Sequence, residues 1–224
     1  MIPSLRIIGT SHIAAESVRE IERCVRDWKP DIVAVELDPM RLQALFTQQR
    51  SSSPLAALRI GIAGYLFSLI GSWVQRKLGN AMGMQPGAEM KRAVELAAQS
   101  DARVALIDQH VEVTLRRFSK ALGWRERLRL LWDIVVGLVS SENEMKRLGI
   151  QEMDLTKVPP AELVKKLLLV VKVRYPGIYR VLVEERNAVM ARNLSRLRER
   201  EPEARILAVV GAGHVEGITA LLAA

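Results

Sequence analysis

Four short apolar runs govern what this chain can fold into: Leu5–Ile8, Ile32–Leu37, Val104–Ile107 and Ile206–Val210. Each is rich in Val, Ile, Leu and Ala and is bounded by polar residues or by Gly and Pro. Such runs fit strands covered on both faces, as parallel sheets require. Helical patterns separate them. Val18, Ile21, Val25 and Trp28 share one helical face after the first run, and Pro30 stops that helix. Pro39 fits the first turn of the next helix, where a missing N–H costs nothing. Glu89–Gln99 reads as a helix before the third run and Val215–Leu222 as one after the fourth. Strands alternating with helices imply an α/β fold: a mixed or mostly parallel sheet flanked by helices, with right-handed crossovers.

Two longer helical stretches interrupt the alternation. One lies within about 54–80, after Ser51-Ser52-Ser53-Pro54. The other spans about 113–200, with breaks at Gly149, Pro159-Pro160 and Pro176-Gly177. The second exceeds what a crossover needs and reads as a large helical insertion in a single domain over 1–224. A few further strands could sit inside it. Residues 60–74 carry no charge but are bracketed by Arg59 and Arg76-Lys77. A membrane-spanning helix needs about 20 apolar residues, so this run suits a core, interfacial or self-association helix, the last implying a homodimer. The chain ends at Ala223-Ala224 in the first turns of a helix, so this stretch leaves open whether a longer parent carries membrane spans beyond it.

Composition narrows the function classes. One cysteine, Cys24, excludes an internal disulfide and a cysteine-only zinc cluster. The first residues lack the basic start and apolar run of a signal peptide, which points to the cytoplasm. The net charge of +8 is unevenly placed: residues 1–50 are neutral, with seven basic and seven acidic side chains. Residues 116–130 carry six basic residues against Glu126 alone, and residues 163–180 carry five and no acid. Those segments suit a solvated helix face, an anionic membrane surface or an acidic partner. Ten aromatic residues in 224 leave few stacking groups, so no nucleic acid is expected.

Polar groups gather where the runs end. The first finishes in Gly9-Thr10-Ser11-His12 and the fourth in Gly211-Ala212-Gly213-His214. Gly-x-x-His after a buried strand gives a tight turn, then an imidazole over the carboxyl edge of the sheet, where ligands of open α/β sheets bind. The second run ends Glu36-Leu37-Asp38 and the third Ile107-Asp108. Carboxylates behind apolar strands are costly unless paired or metal-bound. Two His and one or two carboxylates make a divalent-metal site with room for water. The same groups without metal make a general-base site. For Asp108 a helix N-cap is an equal alternative, and for Asp38, before Pro39, the cap is the better reading. Arg41 stands one turn into the next helix and could reach Glu36 or a substrate carboxylate. His110 could add a ligand. Glu185-Arg186-Asn187 reads by itself as a solvated helix face, and Glu89 as an acid complementing a helix N-terminus.

Taken in order, GTSH at 9–12, VELD with Arg41 at 35–41, PGAEM at 86–90, IDQHVEVTLRR at 107–117, ERNAVMA at 185–191 and VVGAGHVEGI at 209–218 resemble the TraB/PrgY family. That family is similar to the GumN proteins and the Tiki peptidases, and more remotely to erythromycin esterase and ChaN. The resemblance implies a sheet with helical cover built around two Gly-x-x-His motifs. It implies a Tiki-like ion site at His12, His214 and Glu36, with Mn, Co or Zn as the ion. Arg41, Glu185, Arg186 and Asn187 fall on other recurring polar positions. Where the family commonly shows Asp after Ile-Asp-Arg, this chain has Gln109-His110. The implied role is shutdown of peptide pheromone signalling by binding, sequestering or degrading a short peptide. In the hydrolase reading Glu89, Asp108 or Glu185 assists as base, and Arg41 or Arg186 holds a carboxylate or a developing oxyanion. The alternatives are a sequestering module at a membrane and a metal-free hydrolase with His as base.

Overall fold

A computed structural model describes residues 4–10, 15–47, 87–121, 123–139 and 161–224. His12 and the helical stretch expected over 54–80 lie outside the described residues. The elements in chain order are β1 (Leu5–Thr10), α1 (Ala15–Trp28), β2 (Ile32–Val35), α2 (Pro39–Thr47), α3 (Ala88–Gln99), β3 (Arg103–Leu106), α4 (Val111–Ala121), α5 (Trp124–Val139), α6 (Ala161–Arg174), α7 (Pro176–Tyr179), α8 (Glu185–Arg200), β4 (Ile206–Gly211) and α9 (Ala212–Ala223). Arg180–Glu184 forms a π-turn joining α7 to α8. The backbone is right-handed helical at Tyr179, Arg180, Glu184 and Glu185, so the three pieces run on as one helix. The described residues between α4 and α8 contain no strand.

All four apolar runs are strands of one parallel sheet, in the order β1-β4-β2-β3. The first and last strands of the chain are therefore neighbours, with Gly9 beside Val210 and Thr10 beside Gly211. The sheet's two faces are packed by different helices. Ile8, Val33, Val35, Leu207 and Val209 meet Ile21 and Val25 of α1 and Ala93 and Ala97 of α3. Ile32, Ala34, Ile206, Ala208 and Val210 meet Met190 and Leu194 of α8 and Ile218 of α9. The central strands β2 and β4 are buried on both faces, which is why they read as unbroken apolar runs rather than as alternating ones, while the edge strands β1 and β3 are partly exposed.

Helix ends follow the local sequence. α1 stops at Trp28 because Lys29 takes a left-handed conformation (φ 47°) and Pro30 follows. Pro39 opens α2, and Asp38 caps it: its Oδ1 accepts from the N–H of Met40 at 2.9 Å and of Arg41 at 3.3 Å. At the amino edge Asp31 fixes β4 against β2 by accepting from the backbone N–H of Arg205 at 2.7 Å. That backbone bond, aided by the Arg205 guanidinium, outweighs slight burial and holds the Asp31 carboxyl below its ordinary range. No helix among the described residues is long and apolar enough to cross a membrane.

Gly9 lets α9 approach β1. A Cβ there would stand 2.8 Å from Val215 Cγ2 and 3.1 Å from the Ala212 Cα, tighter than side chains tolerate. Because one of those atoms is backbone, the strain cannot be relieved by a rotamer change alone. Gly9→Ala is expected to lower stability by about 1–3 kcal/mol in urea unfolding, the usual cost of overpacking; an unchanged midpoint would contradict this packing.

Candidate functional site at the carboxyl edge of the sheet

The carboxyl ends of β2, β3 and β4 converge on one charged cluster. Glu36 follows β2 in extended register, its N–H donating to the Val209 carbonyl at 3.1 Å. It is two residues past Ala34, so the period of the strand turns its side chain to the α8 face. There it is nearly sealed, with 4% of its side chain exposed. Its Oε2 accepts from the Gly211 N–H at 2.5 Å. Its Oε1 accepts from Nη2 of Arg186 and stands 3.5 Å from Nε2 of His214.

Arg186 is the hub. Its Nη2 donates both to Glu36 and, at 2.6 Å, to Oδ2 of Asp108, while its Nε donates to Oδ1 of Asp108 at 3.1 Å. Nη1 reaches the Leu182 carbonyl, inside the π-turn, at 3.4 Å. Burial alone would lower the Arg186 pKa, but the charges and hydrogen bonds of Glu36 and Asp108 outweigh it and raise the guanidinium above its ordinary value. Asp108 shows the mirror image. Its burial favours the neutral acid, yet Arg186 and then Arg41 hold the carboxyl below the ordinary aspartate range. Arg41 links the cluster to α2: Nη2 donates to Asp108, and Nε donates to Oδ2 of Asp38 at 2.6 Å. Burial opposes its charge as well, but Asp108 and Asp38 prevail and the Arg41 pKa is raised.

His214 and Asn187 complete the group. His214, third residue of α9, is 7% exposed, and its Nδ1 lies 2.6 Å from Oδ1 of Asn187. A carbonyl oxygen only accepts, so Nδ1 carries the proton and Nε2 faces Glu36. Gly217, one turn further along α9, makes room for this contact: a Cβ there would collide with the Asn187 amide. Among the described residues these pairs join three carboxylates, Glu36, Asp38 and Asp108, to two guanidiniums, and Nε2 of His214 stands beside the same Glu36 oxygen that Arg186 holds.

The sequence expectations meet this geometry unevenly. Glu36, Asp108, Arg41, Arg186, Asn187 and His214 come together. Arg41 serves Asp38 and Asp108 rather than Glu36, because Arg186 from the covering layer already holds Glu36. Asp108 is an ion-pair partner; its Oδ1 accepts from the next N–H, of Gln109, at 2.7 Å instead of capping α4. Arg186 and Asn187 do not lie on a solvated face: Asn187 is 6% exposed and Arg186 is nearly buried. Glu185 alone points outward, to Arg117 of α4 at 3.1 Å. Glu89 is buried in the first turn of α3, on the helix layer of the opposite face. His110 is exposed and contributes its carbonyl to the start of α4 instead of a ligand. Gly217 and the buried Thr10, whose hydroxyl has no hydrogen-bond partner among the described residues, carried no sequence signal for the site. Nor did the π-turn, whose extra residue rotates everything after it by about 100° and brings Arg186 and Asn187 onto the sheet.

The site thus lies at the carboxyl edge of a parallel α/β sheet, with Gly-x-x-His after the last strand, acids behind β2 and β3, and Arg186 and Asn187 supplied by the covering helix. The chain belongs to the TraB/PrgY/gumN family, whose model matches residues 3–224. It is 34% identical over 218 residues to an uncharacterized protein of Methanocaldococcus jannaschii, covering 96% of this chain and 52% of that protein. It is 26% identical over 238 residues to the TraB domain-containing protein of Homo sapiens, covering 95% of this chain and 61% of the relative. The Bos taurus TraB domain-containing protein matches at 26% identity over 95% of this chain and 60% of its own length. The chain thus spans between half and two thirds of the curated relatives it matches.

The ion pairs predict a pH dependence. An unfolded aspartate titrates near pH 4, and folded Asp108 titrates lower. Between the two values the native state binds fewer protons than the unfolded chain. The stability Asp108 contributes is therefore full above about pH 4 and lost as pH falls through its folded value. Unfolding free energy measured from neutral pH downward should fall more steeply below about pH 4 in the wild type than in Asp108→Asn; parallel curves would contradict the pairing. Gly217→Ala should displace the Asn187 amide and remove the downfield Nδ1–H proton resonance of His214, with little loss of helix content.

Proposed function

We propose that the chain is a hydrolase of the peptidase type, acting on short peptides, with a divalent ion held by Glu36, His214 and His12. The observation that carries this reading is the hydrogen bond from His214 Nδ1 to Asn187, which presents Nε2 to Glu36 Oε1 at 3.5 Å. Ligating imidazoles are commonly oriented by such a bond on the other ring nitrogen. Two ligands each about 2.1 Å from a tetrahedral ion stand about 3.4 Å apart, so the observed spacing suits one. Among the described residues no three His, Cys, Asp or Glu side chains form a complete cage, and His12 is the third donor in this reading.

A divalent ion there supplies Lewis acidity and a water that ionises near neutral pH. The chain's own residues do the rest. Asn187 keeps the His214 ring in one tautomer and orientation. The Gly211 N–H and Arg186 together fix both oxygens of Glu36. Arg186 already donates from all three nitrogens within the protein, so in this reading it positions rather than binding an oxyanion. Arg41 has a third of its side chain exposed, with Nε and Nη2 engaged. It is the cation assigned to a peptide carboxylate. Membrane tethering and a twofold dimer, through the apolar run at 60–74, belong to the same proposal for the longer protein.

The test uses the whole chain, stripped by chelation and reloaded with Mn, Co or Zn, on a peptide library read by mass spectrometry. Cleavage should return only with metal. His214→Ala should lose metal uptake by calorimetry and at least about 100-fold in turnover. Cleavage that survives complete stripping would replace the ion by His214 as general base. Peptides retained without cleavage would replace turnover by sequestration.

A further inference from the structure

Helix α5 turns large apolar side chains to water. Trp124 is 68% exposed, Leu128 59% and Trp132 68%. Their spacing of four places them along one face of the helix. Two of the chain's four tryptophans stand there. Exposed tryptophan in a row is uncommon on a soluble surface and marks a place where something docks.

The charge around the row identifies the occupant. Arg125, Arg127 and Arg129 flank it on the same helix, and the Arg125 guanidinium lies over the Trp124 ring, 5.3 Å from its centroid. The preceding helix α4 adds exposed Arg116 and Lys120. Glu126, the one acid among residues 116–130, is turned inward, where its Oε1 accepts from the Gly177 N–H at 2.9 Å. Arg116, Lys120, Arg125, Arg127 and Arg129 thus outnumber the acids of these two helices, Glu112, Glu126 and Asp133, around an apolar centre. Arginine beside tryptophan on an amphipathic helix suits the headgroup region of an anionic bilayer, where the rings sit at the acyl boundary and the guanidiniums meet phosphate. α5 has 16 residues, about 24 Å of helix, and its arginines forbid a spanning role. α6 is tied to α5 by a 2.8 Å bond from Arg129 Nη1 to the Arg174 carbonyl, and it carries the same combination in exposed Leu169 and Val173 with Lys172.

We propose that the α5 face, with Trp124, Leu128 and Trp132 at its centre, docks flat on an anionic phospholipid surface. The proposal is independent of the hydrolase reading, since α5 contributes nothing to the carboxyl-edge cluster. Docking there would bring the domain to peptides that reach it from a membrane.

Flotation of the whole chain with phosphatidylcholine vesicles containing about one-third phosphatidylserine tests it directly. The wild type should float with these vesicles, should not float with pure phosphatidylcholine, and should be released at about 0.5 M salt. Trp124→Ser with Trp132→Ser should reduce binding at least about tenfold without changing the circular dichroism spectrum, since both side chains are exposed. Arg125→Gln with Lys120→Gln should weaken binding and reduce its salt dependence. Wild-type flotation by the double tryptophan variant, or equal binding to neutral vesicles, would overturn the proposal. So would a concentration-dependent dimer that the tryptophan variant abolishes in a protein that binds no vesicles, which would assign the face to a second copy of the chain.

Discussion

A single guanidinium joins the two layers of this domain. Arg186 descends from the helix that covers one face of the sheet and meets the carboxylates behind β2 and β3. Without it, Glu36 and Asp108 would be two like charges at the end of a dry sheet. With it, they become paired charges shared between the sheet and its covering helix. Burial disfavours the charges of Arg186 and Asp108, yet their pairing outweighs it, raising the guanidinium and lowering the carboxyl. Arg41 extends the chain of charges to α2, whose own N-cap, Asp38, shares that arginine. Helix capping, strand termination and ion pairing are therefore one network, and a disturbance at any member reaches the others.

What the network accomplishes is placement of an imidazole. β4 lies between β1 and β2, so His214 opens α9 beside Glu36. The Gly211 N–H holds one oxygen of that glutamate, and Asn187 holds the far side of the ring. Two glycines make the fit physical. Gly9 lets α9 sit close against β1, and Gly217 leaves space for the Asn187 amide. Neither has a positive φ; each is small because a neighbour is near. The strand order leaves the chemistry at the edge where the topology already brings loop and helix starts together.

The strands were legible because a sheet buried on both faces writes itself as contiguous apolar residues, and those four runs appear as strands with ends shifted by a residue or two. Glu36 and His214 were legible for the same reason: a charge or imidazole directly after such a run has few places to go. Arg186 and Asn187 were read as solvated from the acids Glu184 and Glu185 before them, although Asn187 shares helical spacing with Met190, Ala191 and Leu194, the buried stripe of α8. The Arg41–Asp108 link was hidden because it joins residues 67 apart through a strand pairing, β2 with β3, that no local pattern encodes. Resemblance to the TraB/PrgY family marked the Glu-Arg-Asn triplet without giving its role. In the structure only Arg186 and Asn187 enter the cluster, while Glu185 turns to α4.

Chemical unfolding of a double-mutant cycle on Arg186 and Asp108 measures the clamp most directly. Arg186→Met alone and Asp108→Leu alone should each cost about 3–5 kcal/mol, because each leaves a buried charge without its partner. The double variant should cost less than the sum by at least about 2 kcal/mol. Additive losses would contradict the account, since they would mean that the two side chains do not share their charge in the folded protein.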